Sequence, residues 1–466
     1  MNKMKTGRPS AFNLYIFLIL FAFEILLSFT FLGYVHIYPL SVTFAYIPIL
    51  IAACLLGPAE STVMGFVFGL ASAYKSSAFY VMPADRLFSP FLSGNFLGSV
   101  MLAIGARTLF GLAAGMYYKA AKQAKRKDLA IGAVTLISPT LHAFIVIFMM
   151  GIFFPNESKS EFFSPYLVIS NAVSSLFCVL ILELFWKLFN HSFIKKMKTA
   201  VNRARDIPNA DESKKRILIS VFTVFIFSMT LAAAVYFSQR TSYMLKTHNV
   251  SVSRAIKSDL IHLQIEFMAA MFSLNIISVV VLIFGYQYSA YRNFLGELDA
   301  LTGVMGRRLF LNCCERTQKR FDSGLFTTGW FLFFDIDYFK KINDTLGHTV
   351  GDNVLRDVAL ILKSTFYDYG LVGRMGGDEF AAMLDKKPLS ETELKALLEE
   401  FETRVLTVLP APQKVSLSIG ACRFAFPTDM SLLMDRTDTF LYEAKRNGRA
   451  GYVLGTFDEV PEQKKL

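Results

Sequence analysis

The sequence predicts a multi-domain chain: an α-helical transmembrane bundle of about eight helices, followed by a soluble α+β domain. Three observations carry this. Of 466 residues, 53% are hydrophobic and 46 are Phe, which is too apolar for one soluble protein of this length. Long apolar spans fill the chain as far as residue 289. Beyond them come short apolar runs that end in acids or glycines, the pattern of strands and tight turns.

Residues 1–10 are polar and basic (Lys3, Lys5, Arg8), as suits a cytoplasmic N-terminus. Apolar spans follow near 12–34, 40–56, 60–75, 100–120, 129–153, 164–188, 216–237 and 267–289. Each supplies most of the roughly 20 residues that a bilayer-crossing helix needs, the third being short. From a cytoplasmic start, these spans put 119–127 and 191–215 inside, and 156–161 and 238–265 outside. The Lys/Arg-rich loops then share the cytoplasmic side with the C-terminal domain. Such loops also account for the net charge of +11, so nucleic-acid binding is not expected. The first apolar run is long and lacks a small-residue cleavage site, so no cleavable signal is expected. Cys54, Cys178, Cys313, Cys314 and Cys422 show no zinc-ligand spacing, and the adjacent pair reads as packing.

These spans divide the chain. Residues 1–190 form a six-helix membrane domain, 191–215 a basic cytoplasmic loop, and 216–290 a helix pair around an extracytoplasmic loop, 238–265. A helical linker, 291–298, leads to a domain over 299–457, and 458–466 form a polar tail. The eighth span continues through Tyr286–Asp299 without Pro, so one helix enters the soluble domain almost directly. Gly296 softens it at a cost near 1 kcal/mol relative to Ala, as an order of magnitude.

Glu24 sits mid-span in the first helix. Intramembrane charges are costly and face a cavity or a partner, so Glu24 is a candidate site, with a protonated or interhelical hydrogen-bonded Glu as the alternative. Gly65, Gly69, Gly111 and Gly115 allow helices to pack closely in lipid. The external loop 76–106 carries Asp85 and Arg86, with Arg107 beside it; whether Arg107 starts the fourth helix or lies within it stays open. Tyr46-Ile-Pro-Ile-Leu-Ile-Ala-Ala-Cys-Leu-Leu-Gly-Pro-Ala-Glu60 and Arg107-Thr-Leu-Phe-Gly-Leu-Ala-Ala-Gly-Met-Tyr-Tyr-Lys119 give 10–190 a texture of its own. It resembles the S-component of energy-coupling-factor vitamin transporters. That resemblance implies a pocket opening outward under 76–106 and a small, vitamin-like ligand.

In the C-terminal part, Arg374-Met-Gly-Gly-Asp-Glu-Phe380 lies between two short apolar runs. Two glycines before an acid read as a tight hairpin turn, which needs φ > 0 where Gly is cheapest. The turn presents Asp378 and Glu379, and its glycines leave room for a phosphate near the backbone. Upstream, Phe331-Leu-Phe-Phe-Asp-Ile-Asp337 is an apolar strand ending in acids, with Asp335 and Asp337 on one face by the period of two. Together these carboxylates offer an oxygen-ligand site for Mg²⁺.

Asp335–Asp352, with its Lys340, Asn343 and closing Val-Gly-Asp, and Arg374–Phe380 resemble the GGDEF family of diguanylate cyclases. Asp299-Ala-Leu-Thr-Gly303, Ser416-Leu-Ser-Ile-Gly420 and Leu441-Tyr-Glu-Ala-Lys-Arg-Asn-Gly-Arg449 match its opening, late strand and closing helix, in order across 299–457. The resemblance implies a mainly antiparallel central sheet covered by helices, as in nucleotide cyclases and polymerase palms. It implies Asp335, Asp378 and the Ile336 carbonyl as ligands of two Mg²⁺, which Mn²⁺ can replace. By the same resemblance, Glu379 would act either in metal binding or on the 3′-hydroxyl proton. Asn343 and Asp352 would read guanine, and Lys340, Lys445 and Arg449 would hold phosphate beside the open Gly377 backbone. Lys445 and Arg449, at i and i+4, share a face if this stretch is helical.

The family usually continues its opening motif with Asn-Arg-Arg, where this chain has Gly306-Arg307-Arg308, and closes with Asn, where this chain has Ala450. Many members carry an inhibitory Arg-x-x-Asp nine and six residues before the first motif glycine. Here those positions are Tyr367 and Gly370, so no such site is expected.

The function this implies is a membrane-bound, dimeric enzyme of the bacterial inner membrane. It condenses two GTP into cyclic dimeric GMP and two pyrophosphates in the cytoplasm, under control of a signal at the membrane domain. The rivals are an inactive GGDEF nucleotide receptor and a vitamin-transporter subunit with a regulatory tail.

Overall fold

The computed structural model describes residues 10–37, 40–155, 165–204, 212–250, 252–320, 328–408, 415–425 and 428–458. The chain divides into two compact units. The first comprises Met1–Asp206 and Ser213–Tyr291; the main part of the second is Arg292–Leu466.

The first unit begins with α1 (Ala11–Phe29), the hairpin β1–β2 (Tyr34–Ile37, Leu40–Thr43), α2 (Ile47–Leu55) and α3 (Pro58–Lys75). Next come α4 (Phe96–Val100), a π-helical turn over Met101–Gly105 and α5 (Ala106–Ala121), then α6 (Lys127–Phe153) and α7 (Pro165–Asn190). It closes with α8 (Ser192–Ala204), α9 (Glu212–Thr247) and α10 (Arg254–Gly296). Among the described residues, six helical segments are long and apolar enough to cross a membrane: Ala11–Phe29, Phe96–Ala121, Lys127–Phe153, Val168–Asn190, Ile217–Thr247 and Arg254–Gly296. The apolar surface of α9 is largely exposed, with Leu218 at 69% and Val224 at 65%, as expected of a helix with lipid for solvent.

The other two expected spans are helical but shorter. The run 40–56 divides into β2 and the nine-residue α2, which rises only about 13 Å. The run 60–75 is α3, interrupted by Ser and Thr. The predicted start of helix four resolves at Phe96, so Arg107 lies inside one helical span, Phe96–Ala121. Gly65 and Gly69 of α3 and Gly111 and Gly115 of α5 lie where these helices meet. A Cβ at Gly69 would stand 2.6 Å from the Ile104 Cα, and one at Gly115 would stand 2.5 Å from the Pro58 Cα.

Two expected loops are corrected. The region 238–265 is mostly helix, because α9 and α10 both extend beyond their apolar windows. Within 191–215, α8 forms because Ile194, Met197 and Val201 recur on one face, of which Ile194 and Val201 pack in one cluster with Phe12. The outer segment 156–161 and most of the tail 458–466 lie outside the described residues. All five cysteines are buried and none forms a disulfide.

The main part of the second unit begins at Arg292, within α10, which ends at Gly296. It contains β3 (Met305–Gly306), α11 (Arg307–Arg320), β4 (Thr328–Ile336), α12 (Phe339–Leu346), α13 (His348–Phe366), β5 (Gly370–Gly376) and β6 (Glu379–Leu384). It ends with α14 (Glu391–Val408), β7 (Leu417–Ala425), α15 (Met430–Arg446) and β8 (Gly451–Thr456). The sheet order is β3-β5-β6-β4-β7-β8. The inner pairs are antiparallel, and only the two edge pairs are parallel. Alternation along β4 builds a core on each face. Leu332, Phe334 and Ile336 meet Phe366 of α13 and Phe401 of α14, while Phe331 meets Phe310 of α11 and Phe440 of α15.

Candidate active site

Strand β4 enters the core as an unbroken apolar run and delivers Asp335 to one end of the sheet. Register sets its neighbours: Asp335 lies opposite Glu379 of β6 and opposite Ser418 of β7. The β5–β6 turn hangs at the same end. Gly376 and Gly377 adopt φ of 153° and 51°, conformations that favour glycine. The pairing shifts register between Arg374 and Gly376 before the turn. The Ile336 amide donates to the Asp378 carbonyl at 3.4 Å, so the metal-ligand set expected from the sequence meets at one place.

Lys445, in the last turn of α15, brings its Nζ to 2.7 Å from Asp335 Oδ2. Burial nonetheless raises the Asp335 carboxyl above its ordinary range; Lys445 pulls it down, and Asp378 and Asp337 push it up. Glu379 is also raised, first by partial desolvation and then by Asp335 and Asp378. Carboxylates that repel one another in this way call for a cation. Among the described residues, no three His, Cys, Asp or Glu side chains form a ready-made metal cage. The carboxylate oxygens of Asp335 and Asp378, with the Ile336 carbonyl, are of the kind that would hold a hard cation such as Mg²⁺.

α12 and α13 turn at Gly347, whose φ is 85°, and this brings Asn343 against Gly351, the neighbour of Asp352. A Cβ on Gly351 would run into Asn343 Oδ1, so the glycine before Asp352 makes room for the Asn343 amide. Lys340 is exposed on the first turn of α12.

Two sequence expectations change. Arg449 does not share a helical face with Lys445: α15 stops at Arg446, and Gly448, Arg449 and Ala450 all take positive φ. The Arg449 guanidinium instead lies 4.9 Å from the Tyr338 ring centroid. Asp337 is the second. Its Oδ1 accepts from Ser418 Oγ at 2.7 Å, and its Oδ2 accepts from Ser416 Oγ at 2.7 Å and from the Ala450 amide at 3.0 Å. It fastens β7 and β8 at this end of the sheet.

Sequence reading missed the clasp behind the turn. Arg374 Nε and Nη2 donate to the Gly377 carbonyl at 3.0 and 2.7 Å, and Nη1 donates to Asp299. Tyr367 is 44% exposed, with Lys386 Nζ over its ring. A Cβ at Gly370 would collide with the Met383 carbonyl.

Residues 297–451 match the family described as "Diguanylate cyclase, GGDEF domain". The chain is 34% identical over 190 residues to "Probable diguanylate cyclase DgcT" of Escherichia coli (strain K12), covering 38% of this chain and 40% of that protein. It is 37% identical over 164 residues to "Probable diguanylate cyclase DgcI" of the same organism, covering 35% of this chain and 34% of that one. The chain therefore spans two fifths or less of the length of these curated relatives. Among solved structures, the coiled coil and GGDEF domain of DgcB from Caulobacter crescentus, in complex with c-di-GMP, aligns at 25% identity with a TM-score of 0.35. It covers 38% of this chain and 95% of that one.

Proposed function

We propose that this chain, whose residues 297–451 form a GGDEF domain, is a membrane-bound diguanylate cyclase that joins two GTP into cyclic dimeric GMP. The observation that carries the reading is the meeting of Asp335, Ile336, Asp378, Glu379 and Lys445 at one end of the sheet. The fully engaged Asp337 leaves Asp335 and the turn acids as the reactive set.

Asp335, Asp378 and the Ile336 carbonyl would hold Mg²⁺, or Mn²⁺ in its place. When bound, the metal polarises the α-phosphate and neutralises charge on the leaving pyrophosphate. Lys445, Lys340 and Arg449 supply cations to the phosphates, and the open Gly377 backbone lets them approach. Asp352 accepts from the guanine N1–H and N2–H₂, and Asn343 pairs with the remaining polar edge. The 3′-oxygen of one GTP bonds to the α-phosphorus of the other, and the bond to the β-phosphate oxygen breaks. The hydroxyl proton leaves, and Glu379 serves either to accept it or to bind the metal. Repeating the step in the opposite sense closes the ring. One domain binds one GTP, so two domains face each other in a homodimer.

The six apolar helices support an anchor in the bacterial inner membrane, with the GGDEF domain in the cytoplasm beside the basic loops. Residues 1–190 act as the sensor, and 216–290 connect it to the cyclase. Tyr367 and Gly370 leave no Arg-x-x-Asp product site, so control passes to the membrane domain and the dimer. Nucleotide selectivity tests the guanine assignment. GTP should be consumed far faster than ATP, since adenine leaves the Asp352 carboxylate unpaired, and Asp352→Asn should narrow the gap. Equal use of ATP by the wild type would reject it.

A further inference from the structure

In the first unit, Glu24, Arg107 and His142, from three helices, are among the polar groups buried with hydrogen-bonding atoms unused. Glu24 of α1 is fully buried; its Oε1 accepts from Ser28 Oγ at 3.2 Å, and its Oε2 has no partner. Arg107 of α5 is 7% exposed, and its Nε has no partner. His142 of α6 has a buried Nε2, also without a partner. Buried polar atoms are nearly always satisfied, and each exception asks for a reason.

The Arg107 guanidinium is held in place. Its Nη1 donates to the carbonyls of Leu102 and Ala103 at 3.3 and 3.0 Å, both within the π-helical turn. Such turns recur at functional positions. The rings of Phe68 and Phe88 lie 4.9 and 5.0 Å from its Cζ. Phe68 also lies 6.0 Å from the His142 ring, and Phe110 lies 5.0 Å from it. Arg107 and His142 therefore share one aromatic wall.

Tyr34, Asp85 and Glu24 lie within electrostatic reach of Arg107. Among the described residues, no ion pair or hydrogen bond joins Glu24 to Arg107, and each keeps a free atom. A guanidinium fixed between aromatic rings, with a buried carboxylate within its electrostatic reach, complements a small molecule with both charges. The planar edge of Arg matches a carboxylate, and Glu accepts from an ammonium. Charged groups inside membrane-spanning segments face such partners.

We propose that Glu24, Arg107 and His142 form a binding site for a free α-amino acid with an apolar or aromatic side chain. Its carboxylate meets Arg107 and its ammonium meets Glu24. The proposal rests on reading this unit as the sensor but not on cyclase turnover, so binding and turnover are measured separately in the same samples.

The test is the thermal shift of the purified full-length protein in detergent with L-Phe, L-Tyr, L-Trp and L-Leu, each beside its N-acetyl and methyl-ester forms. At least one free amino acid should raise the melting temperature saturably. Its blocked forms, and the Glu24→Gln and Arg107→Lys variants, should bind ten- to a hundredfold more weakly, as loss of a charge-assisted hydrogen bond implies. Binding with no change in GTP turnover upholds the site and rejects its regulatory role. No shift with any free amino acid overturns the proposal. Equal binding of the blocked forms to wild type does so even if both variants fail to fold.

Discussion

Arg374 reaches Asp299 across 75 residues of sequence, with Nη1 at 3.0 Å from Oδ1 and 3.2 Å from Oδ2, while the same guanidinium holds the Gly377 carbonyl. Asp299 also accepts from the amide and hydroxyl of Thr302 at 2.8 and 2.6 Å. One side chain thus ties the acidic turn to a residue three positions after the end of α10. Burial alone would raise the Asp299 carboxyl; the Thr302 hydrogen bonds and then Arg374 bring it below its ordinary range. A carboxyl lowered by folding stabilises above its unfolded value and loses that contribution as pH falls through its folded one. The clasp therefore persists at neutral pH and opens only in strong acid.

Arg374→Lys should lower kcat about tenfold to a hundredfold with little change in thermal stability. Lys lacks the fork that bridges Asp299 and Gly377, and small displacements of reacting groups cost rate steeply. Steady-state kinetics beside a melting curve checks this. An unchanged kcat would remove the clasp from the mechanism.

Gly351→Ala should raise the KM for GTP by about five- to thirtyfold, the worth of one to two hydrogen bonds, because the new methyl displaces the Asn343 amide. Titration with GTP should show the same loss in affinity. Wild-type affinity would mean that Asn343 does not touch the base.

Ala450 sits at φ 51°, a left-handed conformation that costs an L-residue other than Asn or Gly about 1 kcal/mol. The family's usual Asn tolerates it better. Ala450→Asn and Ala450→Gly should each stabilise the domain 292–466 by about that amount in urea. Destabilisation by both would contradict the backbone geometry.

The acids at the sheet end make stability depend on pH and on cations. Asp335 and Glu379 are raised, so their charged forms cost stability above their folded values and that cost disappears as pH falls through them. At pH 7, Asp378→Asn should therefore stabilise the metal-free domain, and the gain should shrink on acidification. Mg²⁺ should raise the melting temperature of wild type and not of this variant. The opposite order at pH 7 would show that these carboxylates do not repel one another.

Much of the second unit was legible in the sequence because its signals are local. The apolar run Phe331–Phe334 ending in acids gave β4, and the paired glycines at 376 and 377 gave the turn. The Arg374–Asp299 clasp was hidden because it joins residues with no local pattern between them. Arg449 looked helical by spacing, yet Gly448 had already ended α15. In the first unit, β1 and β2 lie inside an apolar stretch where short strands and helices read alike. The helical extensions of α9 and α10 carry polar residues that hydropathy takes for loop. Glu24 and Arg107 stood out as charges among apolar neighbours, whereas His142 gained meaning only beside Phe68 and Phe110.

The most direct measurement is mass spectrometry of the products formed from GTP and Mg²⁺ by the purified full-length protein, with Asp378→Ala in parallel. The wild type should yield cyclic dimeric GMP with two pyrophosphates for each, and the variant none. No cyclic product from the wild type, or undiminished product from Asp378→Ala, would contradict the account.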